Sequence, residues 1–214
     1  MESGSSLAIV GPSGAGKTTL LKTIIGLHSP TSGSVSIRFG DVQYADFSSI
    51  RDQLGYAPQE PLLLNRNIYE NIACGKDISK DTVRQYLIDS GFDISSEVEL
   101  SEKPISSLSG GEKQRVSVAR ALAREAPLMV FDEPSTSLDA DAKRYIDKLL
   151  YQKLPNITKV IVTHDLNQAS KADRILVIGG GEVLQAGNHH YLCSCSGWYR
   201  TQWLQAALDE PSTA

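Results

Sequence analysis

One stretch limits what this chain can be more than any other. Gly11-Pro12-Ser13-Gly14-Ala15-Gly16-Lys17-Thr18 has the form G-x-x-x-x-G-K-[ST]. The apolar run Leu7-Ala8-Ile9-Val10 before it reads as a buried strand, and Leu20, Leu21, Ile24 and Ile25 after it follow a helical period. A helix start leaves backbone N–H groups without intrahelical partners, and the helix dipole favours negative charge there. Glycines let that backbone wrap phosphate oxygens, Lys17 reaches β- and γ-phosphates, and the Thr18 hydroxyl suits Mg²⁺. The bland alternative is a chance glycine turn, expected on the order of once in a hundred chains of this length at average glycine usage. The strand–loop–helix setting lowers that further. The segment predicts a nucleotide site.

The other apolar runs extend the alternation of strand and helix. Ser34 to Phe39 alternates Val35, Ile37 and Phe39 with polar residues, as a half-buried strand does. From about Asn67 to Arg124 the pattern is mostly helical, with Val83, Leu87 and Ile88 assigned to one face. Leu128 to Phe131 and Val160 to Val162 are short apolar strands, separated by a helix carrying Ile146, Leu149, Leu150 and Leu154. Ile175 to Ile178, then Gly179-Gly180-Gly181 and a further strand, read as a hairpin. This order predicts an α/β fold with a mostly parallel sheet covered on both faces. The last ten residues or so read as frayed.

Composition removes several classes. At 41% hydrophobic and 21% charged, the chain of 214 residues can bury a sizeable core, and its length allows one full domain or a core with one lobe. The net charge of -4 argues against a protein that grips nucleic-acid backbone. Three cysteines (Cys74, Cys193, Cys195) cannot all pair internally, and no basic-then-apolar leader precedes them, so a reducing cytosol is expected. The longest apolar runs fall far short of the roughly 20 residues that cross a bilayer. Cys193-x-Cys195 beside His189 and His190 is a weak metal signal, because zinc sites usually show wider paired spacing. Trp198, Trp203 and Leu204 are expected to cover the edge of the core.

Two further segments carry chemistry. Asp132 and Glu133 end the run Leu128 to Phe131, where ligands bind in such sheets, beyond the carboxyl ends of the strands. Asp132 suits a role toward Mg²⁺ and Glu133 suits a general base for an attacking water; solvated acids before Pro134 are the plain alternative. Leu108-Ser109-Gly110-Gly111-Glu112-Lys113-Gln114-Arg115 admits two readings. Ser109 followed by Glu112 is a capping box for a helix through Ala123. Yet two glycines in a first turn weaken a helix, and they make sense if the N-terminus must approach an anion closely. Both readings need the Ser109 hydroxyl, and geometry must decide.

These residues carry a family resemblance. The phosphate loop, Tyr56-Ala57-Pro58-Gln59, Leu108 to Glu112, Phe131-Asp132-Glu133-Pro134, Ser137-Leu138-Asp139 and Thr163-His164-Asp165, in that order, resemble the ATP-binding cassette (ABC) ATPase domain of ABC transporters. The resemblance runs from about residue 7 to about residue 190. It implies a P-loop NTPase (RecA-like) core over 1–66 and 125–190, an inserted helical subdomain over 67–124, and a C-terminal tail over 191–214.

It also implies ATP and Mg²⁺ as ligands and a head-to-tail pair of such domains around two ATP molecules. Gly11 to Thr18, with Thr19, would hold ATP in one copy. Ser109, Gly110 and Gly111 of the other copy would close on its γ-phosphate, and Asp139 would lie at the seam. Thr18, Gln59 and Asp132 would serve the metal, with Gln59 also facing a transmembrane permease partner. Glu133, Gln59, Lys17 and His164 would form the catalytic set, His164 holding Glu133 and the γ-phosphate in position.

Departures from the family pattern are specific. Members usually carry an adenine-stacking aromatic about 25 residues before the loop, whereas only ten residues precede Gly11 here and none is aromatic. Glu112 stands where glutamine is often found, and the stretch from Gln59 to Ser109 is short. Gln59 to Ile68 followed by Glu70-Asn71-Ile72, with Gly187 and Gly197-Trp198-Tyr199, looks like the exporter branch, while Asp132 to Asp139 is nearer the importer style. An exporter-type domain is the favoured expectation, at the cytoplasmic face of a membrane, with no nucleic-acid partner. Exporter domains are often fused behind a membrane domain, which would account for the short start. The alternative is a soluble ABC ATPase of DNA repair or translation. The interval from Lys17 to Asp132 leaves no room for a long coiled-coil insertion, and the chain has one cassette rather than two.

Overall fold

The run Ser6–Val10 (β1) lies inside a six-stranded sheet, hydrogen-bonded on both sides. A computed structural model describes residues 1–39, 42–44, 50–92, 103–136 and 138–209. Ser137, part of the resemblance above, lies outside the described residues. With β4 (Leu54–Ala57), β5 (Leu128–Asp132), β6 (Thr158–Val162), β7 (Arg174–Gly179) and β8 (Glu182–Gly187), the strand order is β4-β5-β6-β1-β7-β8. All neighbours are parallel except β7 and β8, the expected hairpin, which turns through Gly180 and Gly181. The segment expected to be a strand from Ser34 becomes regular only at Ile37–Phe39 (β2), which pairs with Val42–Tyr44 (β3) in a separate antiparallel ribbon.

Burial on both faces explains the uninterrupted apolar strands. On one face Ile9, Val130, Val160 and Val162 pack with Leu21 and Ile25, at and just beyond helix α1 (Lys17–Ile24). On the other, Met129, Phe131 and Ile161 meet Val118, Ala121 and Leu122 of a later helix, together with Ile146, Leu149 and Leu150. The helical lobe has its own core, in which Ile68 and Ile72 of α2 (Ile68–Ala73) meet Val83 and Leu87 of α3 (Lys80–Asp89). Helix α4 (Gly110–Leu122) gives Val116 and Ala119 to the lobe and Val118, Ala121 and Leu122 to the sheet, so one helix joins the two cores. Helix α5 (Ala140–Lys148) runs on as a π-helical turn, Leu149–Lys153, before β6. No helix among the described residues is long and apolar enough to cross a membrane.

Three expectations need correction. Ile88 is 46% exposed, because it lies about 100° around the helix from Leu87 and so leaves the buried stripe. The C-terminal residues are not frayed as far as Asp209. After α6 (Leu166–Ala169), helices α7 (His189–Ser194) and α8 (Trp198–Asp209) follow β8. Tyr199 of α8 is fully buried with Leu192, Ile175 and Val177. Its hydroxyl meets His189 Nδ1 at 2.9 Å, and its ring lies nearly parallel to Trp203, 6.5 Å away. Trp198 and Trp203 pack on this cluster as expected, but Leu204 is 53% exposed.

Truncating a buried aromatic costs about 3–5 kcal/mol. Tyr199→Ala should lower the unfolding free energy by about that much in urea titrations. A loss below about 0.5 kcal/mol, typical of surface changes, would mean that the last helix is not part of the folded core.

Candidate nucleotide site

The loop after β1 takes its shape from steric limits. A Cβ on Gly11 would stand 1.9 Å from the carbonyl oxygen of Ile178 on β7, so only glycine fits where the chain leaves the sheet. Gly16 caps α1 in the left-handed region, with φ 96°. The buried Lys17, the first residue of α1, turns its ammonium back to the loop, donating to the carbonyls of Gly11 and Pro12, each at 2.9 Å. Residues 13–19, Gln59 and Glu133 line a cavity of about 300 Å³. The cation and the helix start thus face one concave space, which suits an anion.

Parallel register delivers the other residues to the same edge. Ile9 and Asp132 are both paired with Val162, and Ala57 with Phe131, so the segments after β1, β4, β5 and β6 emerge side by side. Asp132 is 1% exposed, and its Oδ1 accepts the Thr18 hydroxyl at 3.3 Å. Burial pushes its carboxyl above the usual range and the neighbouring Glu133 adds to this, while the Thr18 hydrogen bond, Lys22 and Lys17 act the other way. A carboxylate this buried, with a hydroxyl beside it, is the donor set that a divalent cation would neutralise. That pair fits Mg²⁺.

Glu133 has φ 50°, in the left-handed region, and its N–H donates to the Val162 carbonyl at 2.8 Å. Its Oε2 meets the Thr136 hydroxyl at 2.6 Å and His164 Nδ1 at 2.8 Å. Lys17, Thr18, Gln59, Asp132, Glu133 and His164 therefore stand along one edge of the sheet.

The remaining candidates do not line the 300 Å³ cavity. Ser109, exposed, opens α4 with a complete capping box. Its Oγ accepts the Glu112 N–H at 3.2 Å, and Glu112 Oε2 accepts the Ser109 N–H at 2.7 Å. Gly110 has nothing within 4 Å of where a Cβ would stand, so packing within the chain does not call for glycine there. Asp139 caps α5 by accepting the Ala142 N–H at 2.8 Å. Sequence reasoning missed Thr136. It also missed a second cleft of about 460 Å³, where Trp198, Gln202 and Gln205 of the last helix face Gly11, Pro12 and His164. Neither carried a motif; the tryptophan was the only signal.

The profile of the ABC transporter family matches residues 1–136. The chain belongs to the ABC transporter family. It is 33% identical over 213 residues to a probable multidrug resistance ABC transporter ATP-binding/permease protein of Bacillus subtilis (strain 168), covering 96% of this chain and 36% of that protein. It is also 33% identical to an ATP-dependent lipid A-core flippase of Methylococcus capsulatus, covering 92% and 34%. The chain thus spans about a third of the length of these relatives.

Among solved structures, a bacterial Atm1-family ABC exporter with ATP bound superposes with a TM-score of 0.84 at 30% identity, covering 98% of this chain and 38% of that one. An ATP-binding cassette in a dimeric post-hydrolysis state, bound to ADP and Pi, gives 0.76 at 29% identity, covering 88% and 87%. The fold of this ABC domain is that of a P-loop NTPase.

Lys17→Ala removes the one cation hydrogen-bonded inside the loop among the described residues. Affinity for a fluorescent ATP analogue should fall by roughly tenfold or more, the loss of one charge-assisted hydrogen bond. Equal affinity in both proteins would remove the nucleotide site from this loop.

Proposed function

We propose that this chain is the ATP-hydrolysing domain of an ABC transporter, one half of a head-to-tail pair that encloses two MgATP. The observation that carries this reading is a division within the chain. Lys17, Thr18, Gln59 and Glu133 line one cavity, with Asp132 hydrogen-bonded to Thr18 beside it, whereas the Ser109-Gly110-Gly111 start of α4, exposed at Ser109 and Gly110, does not line that cavity. A site that needs both groups takes the second from another copy. The capping box does not forbid this. The Ser109 oxygen spends a lone pair on the Glu112 N–H, and its O–H, also within reach of the Glu112 carboxylate, can rotate to donate to a phosphate instead.

MgATP, when bound, supplies the γ-phosphoryl group and the charge neutralisation that its transfer to water requires. Lys17 and the N–H groups of residues 13–19 hold the phosphates, and Thr18, Asp132 and Gln59 serve the metal. Glu133 takes the proton of the attacking water. Its carboxylate is fixed by His164, whose Nδ1 must carry the proton it donates to an ionised Glu133. Asp139, exposed at the start of α5, lies at the seam of the pair.

The two cores described above support a RecA-like unit over 1–66 and 125–190 and a lobe over 67–124. The named relatives, a lipid flippase and a multidrug transporter, favour an exporter with a transmembrane permease domain, working at the cytoplasmic face of a membrane. They do not favour a soluble ATPase of DNA repair or translation.

Glu133→Gln keeps the shape of the site and removes the base. ATP binding should persist while hydrolysis falls by roughly 10²–10⁴-fold, and gel filtration with MgATP should show a lasting dimer. Normal turnover, or a variant that never shifts toward dimer, would count against this assignment.

A further inference from the structure

The turn after β5 holds a hydrogen bond that the roles above do not use. Thr136 Oγ1 lies 2.6 Å from Glu133 Oε2, the same oxygen that meets His164 Nδ1 at 2.8 Å. An ionised carboxylate can only accept, so the threonine hydroxyl and the imidazole N–H both donate to that one atom. Oε1 accepts no hydrogen bond among the described residues. The two donors come from different segments, one after β5 and one after β6. These segments are tied together beneath the site. The buried Gln168 of α6 reaches Ser135 Oγ at 3.4 Å and Asp147 Oδ1 at 2.8 Å, and the Thr136 N–H closes the turn on the Glu133 carbonyl at 3.1 Å.

We propose that Thr136 is a positioning residue: with His164 it pins Oε2 of Glu133 and thereby makes Oε1 the oxygen that receives the proton of water. The inference rests on the reading of Glu133 as the base. A glutamate at the end of a strand can rotate about its side-chain torsions, and one hydrogen bond from His164 leaves the carboxylate free to swing about that contact. A second donor on the same oxygen, from a turn fixed by Ser135 and Gln168, removes that freedom. Thr136 itself touches neither the water nor the phosphate in this scheme, so its loss acts on the rate and not on ATP affinity.

The test compares MgATP hydrolysis by the wild-type chain, Thr136→Val, Thr136→Ser and Glu133→Gln, with urea unfolding of each to check the fold. Thr136→Val keeps the shape and loses the hydroxyl. Its kcat should fall about tenfold with KM within about twofold, the size of effect seen when a supporting hydrogen bond is removed. Thr136→Ser, which restores the hydroxyl, should return kcat to within about twofold of wild type. Should the valine variant unfold, Thr136→Ala takes its place with the same expectation.

Unchanged kcat in the valine variant, beside an inactive Glu133→Gln, would overturn the positioning role and leave the base assignment standing. A fall in kcat that serine does not restore, or a matching rise in KM, would show a merely structural part for Thr136 and also overturn the proposal. Normal turnover by Glu133→Gln would remove the base assignment, and this inference with it.

Discussion

Parallel pairing in register is the constraint on which this molecule depends. Because β4, β5, β6 and β1 run the same way, their last residues end together, and the segments that follow them must share one edge. Antiparallel neighbours would scatter those segments to opposite edges. Parallel strands need helical crossovers, so the central strands β1, β5 and β6 are covered on both faces and carry apolar runs, whereas the antiparallel edge strand β8 is largely exposed. The packing that stabilises the fold and the convergence that builds the site are one arrangement. Helix α4 adds the lobe to it, since its residues belong to both cores.

At that edge the electrostatics are unfavourable until a ligand completes them. Asp132 is buried with Glu133 beside it, and both effects work against its charge. Glu133 occupies a left-handed conformation that costs a non-glycine residue about 1–3 kcal/mol. Such strain persists where the surroundings over-determine it, here through the Val162 carbonyl, Thr136 and His164. Across the cavity the Lys17 ammonium is satisfied by two carbonyls, weaker partners for it than phosphate oxygens. A stable core therefore supports a site poised for a polyanion and a cation together.

Much of this was legible in the sequence, for physical reasons. Strands buried on both faces leave uninterrupted apolar runs, so β1, β5, β6 and β7 could be read directly. Gly11 to Thr18 was legible because backbone geometry and charge demand those residue types at that spacing, and the Ser109–Glu112 cap because its reciprocal hydrogen bonds have a fixed interval. The last helix was not, since Trp198 to Asp209 mixes apolar and polar residues without a clear stripe and owes its docking to Tyr199 and Trp203. Ile88 was misplaced because the stripe of this helix is centred on Val83 and Leu87, and the next position lies about 100° further round, toward solvent. Thr136 carries no motif at all. Its value arises from a turn that only the folded chain displays.

The central claim is that a working site takes Lys17 from one copy and Ser109 from another. Mixing two inactive variants tests it. Lys17→Ala fails on its own phosphate loop, and Ser109→Arg fails on the surface it offers its partner. A mixed pair contains one site in which both residues are native and one in which both are changed. The account predicts that MgATP hydrolysis, absent from either variant alone, appears when the two are combined. A mixture that stays inactive, though gel filtration with MgATP shows that mixed pairs form, would place Lys17 and Ser109 in the same chain's site and contradict the account.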